Sequence, residues 1–319
     1  MLSRRTFLGL DAVRRIPRRA VVTIGVFDGV HAAHQRLLHR AVQLAHRLRG
    51  TSVAITFDPD PRTVLDPRHA SPALMPLQTR VELLRALGID WVWVIPFTKR
   101  FSRLTAQQFL RQILVRRLHA VALVVGGSFA FGHNRRGDLD VLRRLGPSCG
   151  IRLVPVPEIV RDGAVVSSSR IRGLIAAGHV KQAARLLGRP AALYGVVVRG
   201  TGRGRRLGFP TANIRLSPQA IPPQGVYAVM VSDPARGRRW RGVMNFGVRP
   251  TFGPGPVVCE AHLFGFSGTL VGRRVAVSLI ARLRGERCFP SMDSLRSQVQ
   301  RDMIRARRLL ARPTSSRSR

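Results

Sequence analysis

The stretch GTGRGRRLGFPTAN, which runs from Gly200 to Asn213, follows an apolar, β-branched run at 196–198. Four of its first nine positions are glycines: Gly200, Gly202, Gly204 and Gly208. Glycine lets backbone N–H groups approach a ligand closely, and the arginines between the glycines add positive charge. This composition favours a polyphosphate site. The spacing fits neither a P-loop nor a dinucleotide-binding fingerprint, so a solvated hairpin is the alternative interpretation.

The end of this stretch carries polar side chains suited to a metal ion. Pro210 stiffens the exit, and Thr211 and Asn213 offer oxygen atoms of the kind that Mg²⁺ accepts. Beyond them, β-rich runs are separated by turns and not by helices, at 225–231, 242–247, 257–264 and 271–283. This pattern predicts an antiparallel barrel or sandwich, followed by a helix from Ser294 to about Leu310.

Before the stretch, strand-like and helical runs alternate. Strands are predicted at 20–24, 53–57, 91–95, 121–125 and 151–155, and helices at 80–87, 106–118 and 180–187. This alternation predicts a parallel, doubly wound α/β sheet that binds ligands at the carboxyl ends of its strands. Gly188-Arg189-Pro190 is typical of a linker. We therefore predict domains at 1–187 and 188–310, and a disordered basic tail at 311–319.

Candidate anion-binding residues follow the first predicted strand. The strand is followed by the turn GVFDG at 25–29, and His31 and His34 come at the start of a helix. Imidazoles beside a helix N-terminus can donate hydrogen bonds to an anion whose charge grows during a reaction. A metal site is less favoured, because no carboxylate or third histidine follows at a suitable spacing. Further along, serines at 167–169 can cap a helix whose Arg170 and Arg172 suit phosphate.

The composition describes a globular protein with an unusual charge. The chain has 319 residues, a length typical of about two domains. Of these residues 45% are hydrophobic, and the mean hydropathy is +0.03, which indicates a globular protein with buried cores. The formal net charge is +38, and 52 of the 54 basic residues are arginine, since only Lys99 and Lys181 are lysines. Such charge would hold nucleic acid or anionic membranes at low salt. The arginines are spread over the whole chain without interleaved aromatic residues, which favours a compositional bias over a nucleic-acid face.

The cysteines and the start of the chain bear on location. Cys149, Cys259 and Cys288 are far apart and form no C-x-x-C pair, so neither a disulfide framework nor a zinc site is indicated. The start SRRTFL, at 3–8, looks like a twin-arginine signal, but charged residues follow it in place of an apolar segment. No run of about eighteen apolar residues exists, so we expect no membrane helix. The pattern of the cysteines fits a protein of the reducing cytoplasm.

Six motifs then occur in a particular order: GVFDGVHAAH (25–34), TFDP (56–59), GGSFAFG (126–132), RRGD (135–138), SSSRIR (167–172) and the stretch at 200–213. In this order they resemble the prokaryotic bifunctional riboflavin kinase/FAD synthetase family, over nearly the whole chain. The resemblance implies an N-terminal nucleotidyltransferase half that adenylylates FMN. It also implies a riboflavin kinase half, built as a Greek-key barrel with a C-terminal helix. ATP would be the co-substrate, Mg²⁺ the cofactor, and riboflavin, FMN and FAD the flavin ligands, with no specific nucleic-acid or membrane partner.

The same resemblance implies roles for individual residues. In the adenylyltransferase half His31 and His34 would be catalytic, and ATP would contact Gly25, Phe27, Asp28, Gly29, Ser128, Ser168, Arg170 and Arg172. In the kinase half Glu260 would be the general base, and Thr211 and Asn213 would hold Mg²⁺. There ATP would contact Gly200, Gly202, Gly204, Gly208, Pro210 and Asn245, and the flavin would contact Glu286 and Phe289.

The chain departs from the family pattern mainly in its first half. Ala33 replaces a glycine, Asp60 replaces a histidine, and Ser128 replaces an aspartate or asparagine expected to contact nucleotide or metal. In the kinase half, Gly265 and Ser267 stand where acidic residues are common. Two alternatives to the bifunctional enzyme therefore stay open. One is a riboflavin kinase with a weakened or inactive first half, and the other is a basic nucleic-acid-binding protein on an inherited enzyme scaffold.

Overall fold

The structure is a computed structural model that describes residues 5–10, 12, 19–200, 202, 204, 208–248 and 257–311. The chain forms two compact units. The first comprises Met1–Pro72 and Leu77–Ser168, and the second comprises Ala73–Pro76 and Ser169–Arg319. The domain boundary predicted after Leu187 stays a prediction, and residues 312–319 of the predicted tail lie outside the described residues.

The first unit is built on a parallel sheet, as predicted. Its strands are β1 (Thr6–Leu8), β2 (Ala20–Ile24), β3 (Thr51–Asp58), β4 (Trp91–Pro96), β5 (Ala120–Gly126) and β6 (Arg152–Val156). They lie in the order β1-β4-β3-β2-β5-β6. All five residues of β2 are buried, as expected of a central strand in a covered sheet. From β2, the strands β3 and β4 extend the sheet on one side, and β5 and β6 extend it on the other. The strand order therefore reverses between β2 and β5, and a doubly wound sheet is expected to bind its ligand at that point.

Helices alternate with these strands. They are α1 (Ala32–Arg47), α2 (Pro61–Leu65), α3 (Leu77–Ala86), α4 (Lys99–Ser102), α5 (Ala106–Phe109) and α6 (Leu139–Leu145). Helices α7 (Ser168–Ala176) and α8 (Val180–Leu187) follow the last strand of this sheet, and the chain from Ser169 onward belongs to the second unit. The predicted helix at 106–118 starts at a capping box but continues as a π-helix over Leu110–Arg117. Leu110, Ile113 and Leu114 are buried there, so the predicted apolar face exists although the winding differs. Two short strands, β7 (Val160–Arg161) and β8 (Ala164–Val165), form an exposed hairpin.

Strand β1 lies in the segment whose sequence looks like an export signal. It pairs in parallel with β4 at the edge of the sheet, and the Phe7 and Trp91 rings stack at 4.8 Å. The Trp93 indole N–H donates to the Gly9 carbonyl at 2.7 Å. These contacts tie the described part of the segment to the sheet. Three residues are too few for strand periodicity to appear in the sequence.

The second unit contains a closed antiparallel barrel, as predicted. Its strands are β9 (Ala192–Val198), β10 (Ala212–Leu216), β11 (Gly225–Asp233), β12 (Arg238–Gly247), β13 (Val258–Leu263) and β14 (Arg274–Arg284). Around the barrel they follow the order β10-β13-β12-β11-β14-β9. Helix α9 (Met292–Ala311) packs Ala306 and Leu310 against Val226 and Val243 on the outer face. Among the described residues, no helix is both long and apolar enough to cross a membrane.

Candidate active sites

In the first unit, the chain leaves β2 through a tight turn. Phe27, Gly29 and Val30 have φ angles of 53°, 82° and 40°, which lie in the left-handed region. A Cβ atom at Gly25 would lie 3.1 Å from the Phe27 ring, so the ring would have to shift slightly. Asp28 is 3% exposed. This compact turn places His31 directly at the start of α1.

The two predicted histidines are in contact. The Nδ1 atom of His31 accepts a hydrogen bond from the His34 backbone N–H at 3.4 Å and so caps α1. The imidazole rings stack with centroids 3.6 Å apart, and the Phe27 ring meets His34 edge-on at 5.2 Å. The structure therefore holds the pair together beside a helix N-terminus, where an anion is favoured.

Ser168 also lies against this turn. Its hydroxyl donates to the Asp28 carbonyl oxygen at 2.8 Å, at the first position of α7. The hydroxyl hydrogen is therefore used to hold the turn. Arg170 and Arg172 follow on α7 within the second unit, and their contact with ATP stays a prediction.

Arg80 on α3 is a buried residue that sequence reasoning missed. Its Nη1 atom donates to the carbonyl oxygens of Val26 at 2.8 Å and Phe57 at 3.1 Å, and to the Thr56 hydroxyl at 3.2 Å. Burial lowers the pKa of Arg80, and nearby carboxylates oppose this shift: Asp28, Asp58 and Asp60. Arg80 thus ties the exit of β2 to the end of β3 and supplies positive charge near Asp28. Arginine in an amphipathic helix is usually exposed, so the sequence held no signal for this role.

The three departures in this unit have different structural settings. Ala33 lies inside α1, where a methyl group needs no unusual backbone angle. Asp60 caps α2 by accepting the Arg62 N–H at 2.9 Å. Ser128 is exposed in the turn after β5, which pairs with β2 at the expected crevice. The first two residues are accommodated by local structure, whereas Ser128 is exposed and its effect on a nucleotide or metal contact stays a prediction.

Phenylalanines gather around the carboxyl ends of β3, β4 and β5, which is a second feature that sequence reasoning missed. Neighbouring rings in this cluster have centroids 5.4–6.2 Å apart: Phe57, Phe97, Phe101, Phe109, Phe129 and Phe131. Four of these side chains are only half-buried, namely Phe57, Phe97, Phe129 and Phe131. Partly exposed aromatic faces beside the ends of parallel strands suit a flat apolar ligand.

On the barrel, three predicted residues lie side by side on adjacent strands. Glu260 on β13 is in register with Asn213 on β10 and with Asn245 on β12. Partners in register point to the same face of a sheet, with Cβ atoms about 4.5–5.5 Å apart. Cys259 and Ala261, on either side of Glu260, belong to the buried core. The row Asn213–Glu260–Asn245 therefore faces out of the barrel.

Two described glycines of the glycine-rich stretch lie close to Asn213 and Thr211. A side chain at Gly200 would overlap the Asn213 carboxamide. At Gly204, a Cβ atom would lie 2.6 Å from the Phe209 carbonyl oxygen and 3.0 Å from the Thr211 hydroxyl. Close approach to Thr211 and Asn213 therefore requires glycine at both positions. Gly202 and Gly208 have φ angles of +73° and +86°, and residues 201, 203 and 205–207, with their three arginines, lie outside the described residues.

Glu286 lies beyond β14 and is fixed against the end of β12. Its carboxylate occupies the space that a side chain at Gly247 would take, and it accepts a hydrogen bond from the Val248 N–H. Burial raises the pKa of Glu286, while this hydrogen bond and the charge of Arg284 act in the opposite direction. Its Oε1 atom is buried without a hydrogen-bond partner among the described residues.

Phe289 is positioned by a largely buried ion pair. The Arg284 guanidinium lies over the Phe289 ring, 5.5 Å from its centroid. Arg284 Nε also contacts the Asp302 carboxylate at 2.9 Å, with side chains 18% and 7% exposed. Gln298 donates to the other Asp302 oxygen at 2.9 Å. The contacts of Glu286 and Phe289 with a flavin stay predictions.

The donor atoms near the glycine-rich stretch fit Mg²⁺. Thr211, Asn213 and Glu260 offer a hydroxyl, a carboxamide and a carboxylate, all hard oxygen donors. Mg²⁺ is usually held by one or two protein carboxylates or other oxygens together with substrate phosphates and water. A phosphate-bearing ligand beside the stretch would complete such a set.

Two family models match the chain, one in each half. The FAD synthetase model matches residues 13–170, and the riboflavin kinase model matches residues 187–310. The first match contains the histidine turn, Arg80 and Ser128. The second contains the glycine-rich stretch, the row Asn213–Glu260–Asn245 and Phe289.

Similar proteins cover nearly the whole chain. Bifunctional riboflavin kinase/FMN adenylyltransferases from Pseudomonas fluorescens and Escherichia coli (strain K12) are 39% and 36% identical to it. The matches cover 95% and 94% of this chain and 97% and 96% of those proteins. A crystal structure described as a macrolide-efflux protein from Streptococcus pneumoniae is 30% identical with a TM-score of 0.80, covering 90% of this chain and 93% of its own.

Proposed function

The chain belongs to the family of bifunctional riboflavin kinases/FMN adenylyltransferases, and we propose how its residues carry out the two reactions. The enzyme phosphorylates riboflavin to FMN with ATP and adenylylates FMN to FAD with release of pyrophosphate. The observation that carries the kinase assignment is the register of Glu260 between Asn213 and Asn245. No observation favours a kinase with an inactive first half or a nucleic-acid-binding protein.

In the kinase reaction, Glu260 acts as the general base. The 5′-hydroxyl oxygen of the ribityl chain attacks the γ-phosphorus of ATP, and its proton passes to the Glu260 carboxylate. The bond between the γ-phosphorus and the β–γ bridging oxygen breaks, and ADP leaves. Asn213 and Asn245 lie in register on the two sides of Glu260, so the three polar side chains share one face of the barrel. A carboxylate suffices as the base because positioning and electrostatics lower most of the barrier.

Thr211 and Asn213 would hold Mg²⁺ together with the phosphates of ATP. When bound, Mg²⁺ neutralises charge on the β- and γ-phosphate oxygens. Gly200 and Gly204 pack against these two side chains, so the backbone of the glycine-rich stretch can reach the same phosphates.

Thr211→Ala is expected to raise the Mg²⁺ concentration needed for half-maximal FMN formation by about 3- to 10-fold, because one hard oxygen donor is lost. The apparent KM for ATP should rise with it. Thr211→Ser keeps the hydroxyl and serves as the matched control. A Mg²⁺ titration of riboflavin phosphorylation measures both variants. If Thr211→Ala lost activity but kept the wild-type Mg²⁺ requirement, the loss would come from misfolding, and the assignment of Thr211 to the metal would be contradicted.

In the adenylyltransferase reaction, the histidine turn stabilises growing charge. An FMN phosphate oxygen attacks the α-phosphorus of ATP, the bond to the α–β bridging oxygen breaks, and pyrophosphate leaves. His31 Nδ1 accepts the His34 N–H, which assigns the proton of neutral His31 to Nε2. That N–H and the His34 ring can donate to phosphate oxygens near the N-terminus of α1.

Two features missed by sequence reasoning support this second reaction. Arg80 holds the exit of β2 against β3 and keeps the histidine turn in place. The half-buried phenylalanines around Phe57, Phe97 and Phe129 offer a surface for the isoalloxazine ring of FMN.

We place this chemistry in the cytoplasm. The free thiols of Cys149, Cys259 and Cys288 are compatible with a reducing compartment.

A time course with purified protein, riboflavin, ATP and Mg²⁺, analysed by chromatography, tests the function. We expect FMN to appear first and FAD to follow more slowly, because Ser128 presents a short, uncharged side chain beside the crevice. A chelator should stop both steps. If FMN were converted to FAD as fast as riboflavin is converted to FMN, the expected effect of Ser128 on the second step would be contradicted. If neither FMN nor FAD formed, the proposed function would be contradicted.

A further inference from the structure

His262 contacts the exit of the glycine-rich stretch from the neighbouring strand. It lies on β13 two residues after Glu260 and on the same outward face. Its Nδ1 atom is 2.8 Å from the Pro210 carbonyl oxygen. Because a carbonyl oxygen only accepts, Nδ1 must carry the hydrogen, in the neutral ring or in the imidazolium.

This hydrogen bond occurs where backbone pairing stops. The register between β10 and β13 covers only two pairs, Asn213 with Glu260 and Ala212 with Ala261. Pro210 lies beyond these pairs and has no backbone N–H to donate. The His262 side chain therefore holds the chain to β13 immediately before Thr211.

Aromatic rings flank His262 on two sides. Phe209 meets the imidazole edge-on at 6.1 Å, and Phe264 does so at 5.9 Å. The Arg307 guanidinium of α9 in turn lies over the Phe264 ring, 4.8 Å from the ring centroid. The half-buried imidazole is thus held in one orientation, with its N–H directed at Pro210.

We propose that His262 is a positioning residue of the kinase, which sets the place of Thr211 relative to Glu260 through the Pro210 carbonyl. The inference rests on the proposed function of the row Asn213–Glu260–Asn245. Without this hydrogen bond, the segment at 209–211 samples positions in which Thr211 is displaced from the phosphate site. Binding of MgATP weakens as a result, while the flavin side of the reaction is affected less.

Two variants of the full chain separate the hydrogen bond from the ring packing. His262→Phe keeps a ring between Phe209 and Phe264 but removes the donor. His262→Asn removes the ring, and its Nδ2 can replace the donor at Nδ1. We expect His262→Phe to raise the apparent KM for MgATP and the Mg²⁺ requirement by about 3- to 10-fold, the range for one lost hydrogen bond. His262→Asn should restore most of the loss.

Steady-state kinetics with riboflavin and MgATP varied in turn provide the test. FMN-to-FAD conversion in the same chain reports on the other unit. The proposal would be overturned if His262→Asn lost as much MgATP affinity as His262→Phe, or more. It would also be overturned if the KM values for riboflavin and MgATP changed equally, or if His262→Phe behaved like the wild-type chain. Failure of the wild-type chain to form FMN would instead overturn the function on which the proposal rests.

Discussion

Replacing Glu260 with glutamine is expected to lower riboflavin phosphorylation by about 10²–10⁴-fold, which is the usual contribution of a general base. Glutamine keeps the size and polarity of the side chain between Asn213 and Asn245 but cannot take the proton of the 5′-hydroxyl. The loss should therefore appear in kcat, with little change in riboflavin binding. Single-turnover formation of FMN and flavin binding measured by fluorescence would separate the two quantities.

Asp293→Asn is a matched control for this substitution. It removes the same charge from an exposed position in the first turn of α9 in the same unit. We expect this variant to retain the kinase activity of the wild-type chain. If Glu260→Gln lost binding and turnover equally, or if both variants lost similar activity, Glu260 would be a structural residue or a source of general charge.

Replacing His34 with alanine is expected to slow FAD synthesis from FMN by about 10²–10³-fold, the cost of losing one donor to charge that grows in the transition state. FMN formation from riboflavin should be unchanged, because the kinase residues lie in the other unit. The two activities of one protein preparation therefore provide an internal control for folding. Adenylylation is measured as the release of pyrophosphate.

His31 needs a different pair of variants, because it also caps α1. His31→Asn retains an acceptor for the capping position, whereas His31→Ala loses both the cap and the imidazole. If the ring is catalytic, both variants should lose FAD synthesis to a similar extent, although only His31→Ala should lose thermal stability. His39→Ala, at an exposed position of α1, is the surface control. Normal adenylylation in His31→Asn would assign His31 a purely structural role.

Periodicity was most reliable where burial follows one simple pattern. The predicted helix at 180–187 agrees with α8, and the predicted strand at 20–24 agrees with β2. In α8 the buried residues repeat with the helical period, whereas β2 is a short run that is buried at every position. The π-helical winding after Phe109 and the three-residue strand β1 were missed, because neither changes the apolar pattern enough to be detected. Strand β10 was also missed, since its sequence was interpreted as the end of the glycine-rich stretch.

The departures from the family pattern show why a residue type alone does not define a site. Ala33 is harmless to the backbone because it lies inside a helix, and Asp60 has the separate task of capping α2. Both facts depend on local backbone geometry. Ser128 differs, because it is exposed in the turn after β5, which pairs with β2, and no local hydrogen bond or packing gives it a separate task among the described contacts; the loss of a ligand contact there stays a prediction.

The sequence by itself determined the two architectures, the order of the motifs and the types of residue available for phosphate, metal and proton transfer. Those features depend on period, composition and spacing, which are properties of neighbouring positions along the chain. Only the tertiary structure decided that Glu260 lies between Asn213 and Asn245, that Arg80 is buried against Val26, and that His262 reaches Pro210. These contacts join residues 15 to 54 positions apart, and strand register and helix packing set them without leaving a local signal.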